Sequence, residues 1–516
     1  MKLFVWIFPI AVALLALPCK QAVAGQTEGP NKEVVAANTS FAIDLYHRLG
    51  SENSENLFFS PYSIANVLVM AAEGARGETA LEMGKVLQFP NSAWWDQQSG
   101  RANPWNLSLI HRSMAAINQR LAGKNPAETE QIRSRVAELR KKHSKLTEEV
   151  EELRRSGQWE KSEAVGKDQN KITNELNGLL KQLDQYEIHI ANALWAEQTY
   201  SLKQSFIDTI KKYYKTGGLF PVDFKSDYEA VRQRVNHWVE DQTSQRIKNL
   251  IPAGAVNEYT RLILTNAIYF KGEWATPFEE QFTKERDFTL GDGSKVKTSL
   301  MHGSIINHTR YAAFNAEGSF FKTPKTIEKN QKEGLYPDED GFAILELPYK
   351  GDELSMVIIV PNSYDGLSSI ENRFTLQNLD QWLNQLVKRK VDVFLPKFKL
   401  ETNYQMNKTL QAMGMVRAFK DPRKPGGAQF EGMTTSEDPM QQLYITQVIH
   451  KAFVEVNEKG TEAAAATGTT MAISAALPTT VPFIPTFKAD RPFLFFIRDR
   501  VTGSVLFVGR ILNPNE

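Results

Sequence analysis

The chain has 516 residues, 42% hydrophobic and 23% charged, a balance that excludes disorder throughout and leaves ample material for a large core. Its 61 basic and 60 acidic residues give a formal net charge of +1, so no bulk field draws it to nucleic acid or to an anionic membrane. The single cysteine, Cys19, lies in the N-terminal segment, which removes disulfides and thiol catalysis from everything beyond it.

Lys2, an apolar segment over residues 3–17 and then Ala22-Val23-Ala24 form the pattern of a signal peptide, residues 1–24, cleaved before Gly25. Export to an extracellular or periplasmic space is expected, with no membrane contact in the mature form. A signal anchor fits less well, because of Pro9, Pro18 and the short apolar length. The folded body is expected to begin at residues 53–88. Ser60-Pro61 reads as a helix start with a hydroxyl cap, followed by Ile64, Val67, Leu68 and Ala71 on one face. Thr79 with Glu82 reads as a capping box for a helix over residues 80–87.

From Ile132 the pattern changes. Ile132, Val136, Leu139, His143, Leu146, Val150 and Leu153 recur at spacings of four and three, and Val165, Gln169, Ile172, Leu176, Leu179, Leu183 and Tyr186 resume the series after Ser156-Gly157-Gln158-Trp159. Residues 124–184 are therefore expected to form an antiparallel coiled-coil hairpin that projects from the body. It is either a solvated spacer or an arm for an unknown partner. Strands are expected over residues 187–195, 260–270, 342–348, 354–361, 391–400 and 444–456, and helices over 202–214 and 228–250. Lys350-Gly351-Asp352 reads as a hairpin turn. Residues 318–340 are charged and aperiodic, a surface insertion. Two apolar runs, 493–497 and 505–508, close the chain.

Between the runs 444–456 and 493–497 lies an Ala/Thr-rich stretch, residues 458–478. It is either a low-complexity linker or a loop with a latent strand pattern. From Thr461 every second residue, Thr461, Ala463, Ala465, Thr467, Thr469, Met471 and Ile473, could face a core without burying a charge. Enzyme signatures are missing: there is no Gly-x-Ser-x-Gly elbow, His-Glu-x-x-His helix, phosphate-cradling Gly-rich loop with lysine, or Cys-x-x-Cys pair. Nothing points to a cofactor or a metal.

Six ordered segments resemble the serpin family. They are residues 56–64 (NLFFSPYSI), 265–274 (TNAIYFKGEW), 347–351 (LPYKG), 395–398 (LPKF), 450–462 (HKAFVEVNEKGTE) and 491–495 (RPFLF). The resemblance implies an α+β fold, one domain over residues 25–516, with three β-sheets, about nine helices and the hairpin as an insertion. It implies that residues 458–487 are the reactive-centre loop, with Glu458, Gly460, Thr461, Glu462, Ala463, Ala464, Ala465 and Ala466 as the hinge. The family's spacing from Gly460 places the scissile bond at Ser474-Ala475, with Ile473, Met471 and Leu477 as alternative specificity residues. Ser60, Ser63, Asn266 and His450 match the family's shutter beneath the main sheet. Trp274, Lys397 and Glu458 match its breach, where insertion begins, and a Lys397–Glu458 ion pair is expected.

The implied function is suicide-substrate inhibition of serine proteases, with cysteine proteases as a second class. The cleaved loop enters the main sheet and carries the acyl-enzyme with it. Small residues at the hinge suit that entry, and proline at 478 bounds it. No Arg or Lys occurs between Thr461 and Phe487, which favours an elastase-like or subtilisin-like target over a trypsin-like one. The alternative is a non-inhibitory binding or scaffold protein that acts through the hairpin.

Overall fold

Leu262–Glu273 and Tyr186–Glu197 are both 12-residue strands and pair antiparallel over most of their length. Together they form the middle of a main sheet. In the computed structural model, which describes residues 29–95, 102–122, 126–180, 186–215, 217–306, 308–328, 333–436, 438–461 and 480–516, the sheet runs Phe398–Gln405, Gln447–Val456, Leu262–Glu273, Tyr186–Glu197, Gly218–Val222. Both faces of its inner strands are covered, which explains why Leu262–Glu273 and Gln447–Val456 read as near-continuous apolar runs. Alternate residues of Leu262–Glu273 serve different cores. Leu262, Leu264, Ile268 and Phe270 join the large central core. Ile263, Ala267 and Tyr269 pack with Val231, Val235 and Val239 of the helix Phe224–Gln242.

The central core is shared with a second sheet of eight strands, which includes Phe342–Pro348, Leu354–Pro361, Phe493–Asp499 and Val505–Ile511. Phe270 and Phe398 of the main sheet meet Phe507 and Phe495 across the interface. A third sheet orders Thr486–Lys488, Val391–Pro396, Lys295–Ile306 and Lys284–Thr289. Among the described residues there are eleven α-helices, nine in the body and two in the hairpin, together with a two-stranded ribbon not expected from the sequence, Thr326–Glu328 with Thr480–Pro482.

Those two helices are Pro126–Arg155 and Trp159–Leu180. At 1.5 Å per residue they are about 45 and 33 Å long. Gly157, at φ +74°, turns the chain between them, and Gln158 N–H donates to the Leu153 carbonyl at 2.9 Å. Val136, Leu139, Ile172 and Leu176 bury in a core of their own, flanked by Ile132, Leu146 and Leu179. Arg135 reaches across to Glu175 at 2.8 Å, and Gln169 to Thr147 at 2.8 Å.

Four expectations are corrected. The folded body begins earlier, with the helix Lys32–Glu52, capped by Asn31 and buried through Phe41, Leu45, Tyr46 and Leu49. Thr79 and Glu82 form no capping box. The helix runs Gly77–Val86 without a side-chain cap, Thr79 is buried and accepts from Gln429 N–H, and Glu82 accepts from Val416 and Arg417 N–H. Tyr186 leaves the hairpin seam to open a main-sheet strand. The run 391–400 is two strands in two sheets, Val391–Pro396 and Phe398–Gln405; Pro396 has no N–H to continue a ladder, and the chain changes sheets across Lys397.

Candidate functional site

The central strands Gln447–Val456 and Leu262–Glu273 are parallel neighbours, paired from Gln447↔Ile263 to Phe453↔Tyr269. Above that point they part. Leu262–Glu273 continues to Glu273 with its other edge still held, Gly272 opposite Tyr186. A strand has two edges, so whatever else pairs at Gly272 enters from the side of Gln447–Val456. That partner is the chain's own continuation: Gly460–Thr461 turns back and pairs antiparallel, Gly460↔Glu273 and Thr461↔Gly272. The two central strands form a fork, and the first residues of the expected hinge occupy its mouth.

The turn that puts them there is tightly built. Asn457 and Gly460 exchange backbone hydrogen bonds at 2.8 and 3.1 Å. Gly460 has φ +131°, and a Cβ on it would stand 2.1 Å from the Gly272 carbonyl oxygen, so both backbone conformation and space demand glycine. Trp274, 2% exposed, stacks on Tyr349 at 4.6 Å and donates its indole N–H to the Asn457 carbonyl at 3.0 Å. Trp274 N–H and Phe278 N–H bond the carbonyls of Lys459 and Glu458.

Lys397, at the point where its chain changes sheets, stands 3.0 Å from the buried Glu458 carboxylate, the ion pair expected from the sequence. Thr283 Oγ1 donates to the same carboxylate at 2.8 Å. Burial pushes the Glu458 carboxyl up, but a backbone hydrogen bond, Lys397 and Thr283 outweigh it and hold it below the ordinary range. Trp274, Lys397 and Glu458 are thus brought together. Thr283, Tyr349, Phe278 and Asn457 complete the cluster; of these, Tyr349 and Asn457 lie within the motif segments 347–351 and 450–462, whereas Thr283 and Phe278 lie in none.

Seven residues down the same strand, roughly 23 Å away, Asn266 pairs with His450 on one side and with Asn192 on the other. Beneath them lies the N-terminus of the helix Pro61–Ala72, capped by Ser60, whose Oγ accepts from Ser63 N–H at 3.1 Å. Ser60, Ser63, Asn266 and His450 are all fully buried. Ser60 N–H donates to His450 Nε2 at 3.1 Å, so Nδ1 carries the ring proton and donates to Asn266 Oδ1. Asn266 Nδ2 donates to Ser63 Oγ and Asn192 Oδ1, and Ser63 Oγ donates to Asn192 Oδ1 at 3.0 Å.

Burial pushes the His450 imidazole down to about 3, against a weaker opposing contribution from Asn266. A second ring proton would also face the Ser60 N–H. The four shutter candidates therefore form one network across the line where the central strands meet, with Asn192 as a fifth member. A lone polar residue inside the apolar run Ile190-Ala191-Asn192-Ala193-Leu194 was the available signal for it.

Of the expected hinge, Glu458, Gly460 and Thr461 are in place. Glu462, Ala463, Ala464, Ala465, Ala466, Met471, Ile473, Ser474, Ala475 and Leu477 lie outside the described residues, as does the expected signal peptide.

A model of the serpin (serine protease inhibitor) family matches residues 36–514. The chain belongs to the serpin family. This serpin is 34% identical over 480 residues to Serpin B4 of Homo sapiens, covering 93% of this chain and 98% of that protein. It is 31% identical over 484 residues to the leukocyte elastase inhibitor of Xenopus tropicalis, at 93% and 99% coverage. Among solved structures, uncleaved ovalbumin superposes with a TM-score of 0.65 at 24% identity, covering 93% of this chain and all of that one. That likeness supports the α+β serpin fold and nothing finer. Serpins are mostly protease inhibitors rather than enzymes.

Proposed function

We propose that this serpin is an exported suicide-substrate inhibitor of serine proteases. The observation that carries the reading is the fork: two central parallel strands already parted at one end, with Gly460–Thr461 paired antiparallel in the opening. An antiparallel strand between two parallel ones satisfies the backbone groups of all three, so continued entry of the loop is downhill once its far end is free. Cleavage supplies that freedom. The stretch beyond Thr461 is Glu462-Ala463-Ala464-Ala465-Ala466-Thr467, small enough to slip between paired strands.

The reactive site we assign is Ser474-Ala475, with Ile473, Met471 and Leu477 as alternatives. The target is an elastase-like or subtilisin-like enzyme, a choice supported by the absence of Arg and Lys from residues 462–486 and by the similarity to a leukocyte elastase inhibitor. Trp274, Lys397 and Glu458 act as the breach, and Ser60, Ser63, Asn266 and His450 as the shutter that must part. Export rests on the N-terminal pattern of residues 1–24. The test is to mix the protein with elastase, subtilisin, trypsin and papain and run a denaturing gel. A complex resistant to denaturation, with the acyl bond mapped to Ser474, is expected from elastase or subtilisin. A stable trypsin complex cleaved within the loop would overturn the target assignment.

One observation favours a second role for the hairpin. Trp159, at its tip, is 67% exposed, which leaves a large aromatic side chain available to a partner. An arm for a partner protein is the reading it supports.

A further inference from the structure

Residues 318–340, the aperiodic insertion, do more than decorate the surface. Thr326–Glu328 pairs with Thr480–Pro482, the first described residues after the loop, in the register Thr480↔Glu328, Val481↔Ile327, Pro482↔Thr326. Next, Phe483 donates its N–H to the Lys325 carbonyl at 3.0 Å and buries its ring against Tyr336, with centroids 5.7 Å apart, and under the Arg389 guanidinium at 5.4 Å. The same guanidinium donates to the carbonyls of Phe483, at 2.8 Å, Pro324 and Thr323, so one cation ties the insertion to the post-loop chain. Tyr336 Oη accepts from Thr486 N–H at 3.1 Å. We propose that this insertion is a clamp on the distal end of the reactive loop, which keeps the intact loop out of the main sheet until cleavage separates its two halves. The proposal rests on the inhibitor reading.

The argument is one of reach. Thr461 sits opposite Gly272, so in continued antiparallel register Met471 would come opposite Leu262, at the far end of the strand. That descent is ten residues, about 33 Å. An uncleaved chain must then return to the ribbon. The nine steps from Met471 to Thr480 span at most about 32 Å fully extended, before any residue is spent on the turn out of the sheet. For a ribbon level with the fork this return is shorter than the descent, so with the ribbon intact the path does not close. With the ribbon opened, the next anchor is Thr486 in the third sheet, paired with Asp392, and fifteen steps reach about 50 Å. The clamp thus decides whether insertion without cleavage is geometrically available. Cleavage at Ser474-Ala475 frees the inserting half and leaves the clamp undisturbed.

The test compares intact wild type, Arg389→Ala, Tyr336→Phe, and the pair Thr480→Cys with Glu328→Cys, oxidised. Directly opposed antiparallel residues lie within disulfide range, and the mature chain has no other cysteine. Each is incubated at a mildly elevated temperature. Uncleaved chain on a denaturing gel, thermal midpoint and complex formation with elastase or subtilisin are followed. Arg389→Ala is expected to convert to a full-length form of raised midpoint with a half-life at least tenfold shorter than wild type. Tyr336→Phe should fall between them, and the oxidised pair should outlast wild type while still forming complex. Equal half-lives in all four would overturn the clamp. If Arg389→Ala starts with a depressed midpoint, Tyr336→Phe and the oxidised pair decide. Failure of the inhibitor reading would show separately, as absence of complex in every variant, and the midpoint still reports conversion in that case.

Discussion

Gly460 packs against Gly272 so closely that no side chain fits between them: a Cβ on Gly460 would also stand 2.6 Å from Trp274 N and 2.7 Å from Glu273 Cα. All the obstructing atoms are backbone, so none can rotate away. Gly460→Ala must therefore lift the hinge out of the fork, with a cost of about 2 kcal/mol or more from clash and positive φ together. The expected outcome is an intact protein whose loop is cut faster by a broad-specificity protease, and which behaves more as substrate than inhibitor. The ratio of inhibitor consumed to protease inactivated measures it.

Lys397→Glu sets two carboxylates against each other where Lys397 now neutralises Glu458 at 3.0 Å. The lysine side chain is 41% exposed, so the attraction lost is about 1 kcal/mol. Loop cleavage is expected to rise about fivefold, the factor that energy corresponds to. Lys397→Arg should restore it, and an unchanged cleavage rate in Lys397→Glu would remove the pair from the hinge's support.

The buried network around His450 is expected to make the fold acid-labile. The imidazole of His450 is held neutral by burial, down to about 3, against an ordinary 6.5 in the unfolded chain. The unfolded state binds the proton first, so this contribution is fully present above pH 6.5 and is lost as the pH falls from 6.5 towards 3. At about 1.4 kcal/mol per unit the total is about 5 kcal/mol. His450→Gln keeps a donor and an acceptor but does not titrate. Its thermal midpoint should fall less steeply than wild type between pH 6 and 4. Parallel curves would contradict the assignment.

The hairpin core of Val136, Leu139, Ile172 and Leu176 is separate from the body core. Replacing residues 124–184 with a short Gly/Ser linker is expected to leave the thermal midpoint of the body and complex formation unchanged, and to abolish binding of any partner that grips the arm. A large drop in midpoint would show instead that the hairpin braces the main sheet. Trp159→Ala separates the tip from the rest of the arm in the same pull-down.

Most of the architecture was legible because its signals are local. The spacing from Ile132 to Leu179 announces the hairpin, and the apolar runs around Asn266 and His450 announce two buried strands. What stayed hidden depends on contacts distant in sequence. The run 391–400 is largely apolar and reads as one strand, and the missing N–H of Pro396 and the shift of the apolar positions from Leu395 to Phe398 are what hint that the chain changes sheets there. Residues 326–328 show no periodicity because the strand is three residues long, and their partner, 480–482, lies more than 150 residues on. Thr79 and Glu82 have the letters of a capping box, yet Gln429 and the backbone of Val416 and Arg417 compete for both side chains and win. At the candidate site, Lys397, Glu458 and Trp274 were legible through motifs, whereas Thr283 and Phe278 join the cluster only through the fold.

Insertion of the loop into the fork is the centre of the account, and thermal unfolding of intact against loop-nicked protein tests it most directly. About ten new strand residues, each gaining backbone hydrogen bonds worth roughly 1 kcal/mol net, would raise the midpoint of a chain this size by about 10 °C. A rise of that order after a single cut within residues 472–479 is the predicted result. A nicked protein whose midpoint is unchanged or lower would contradict it.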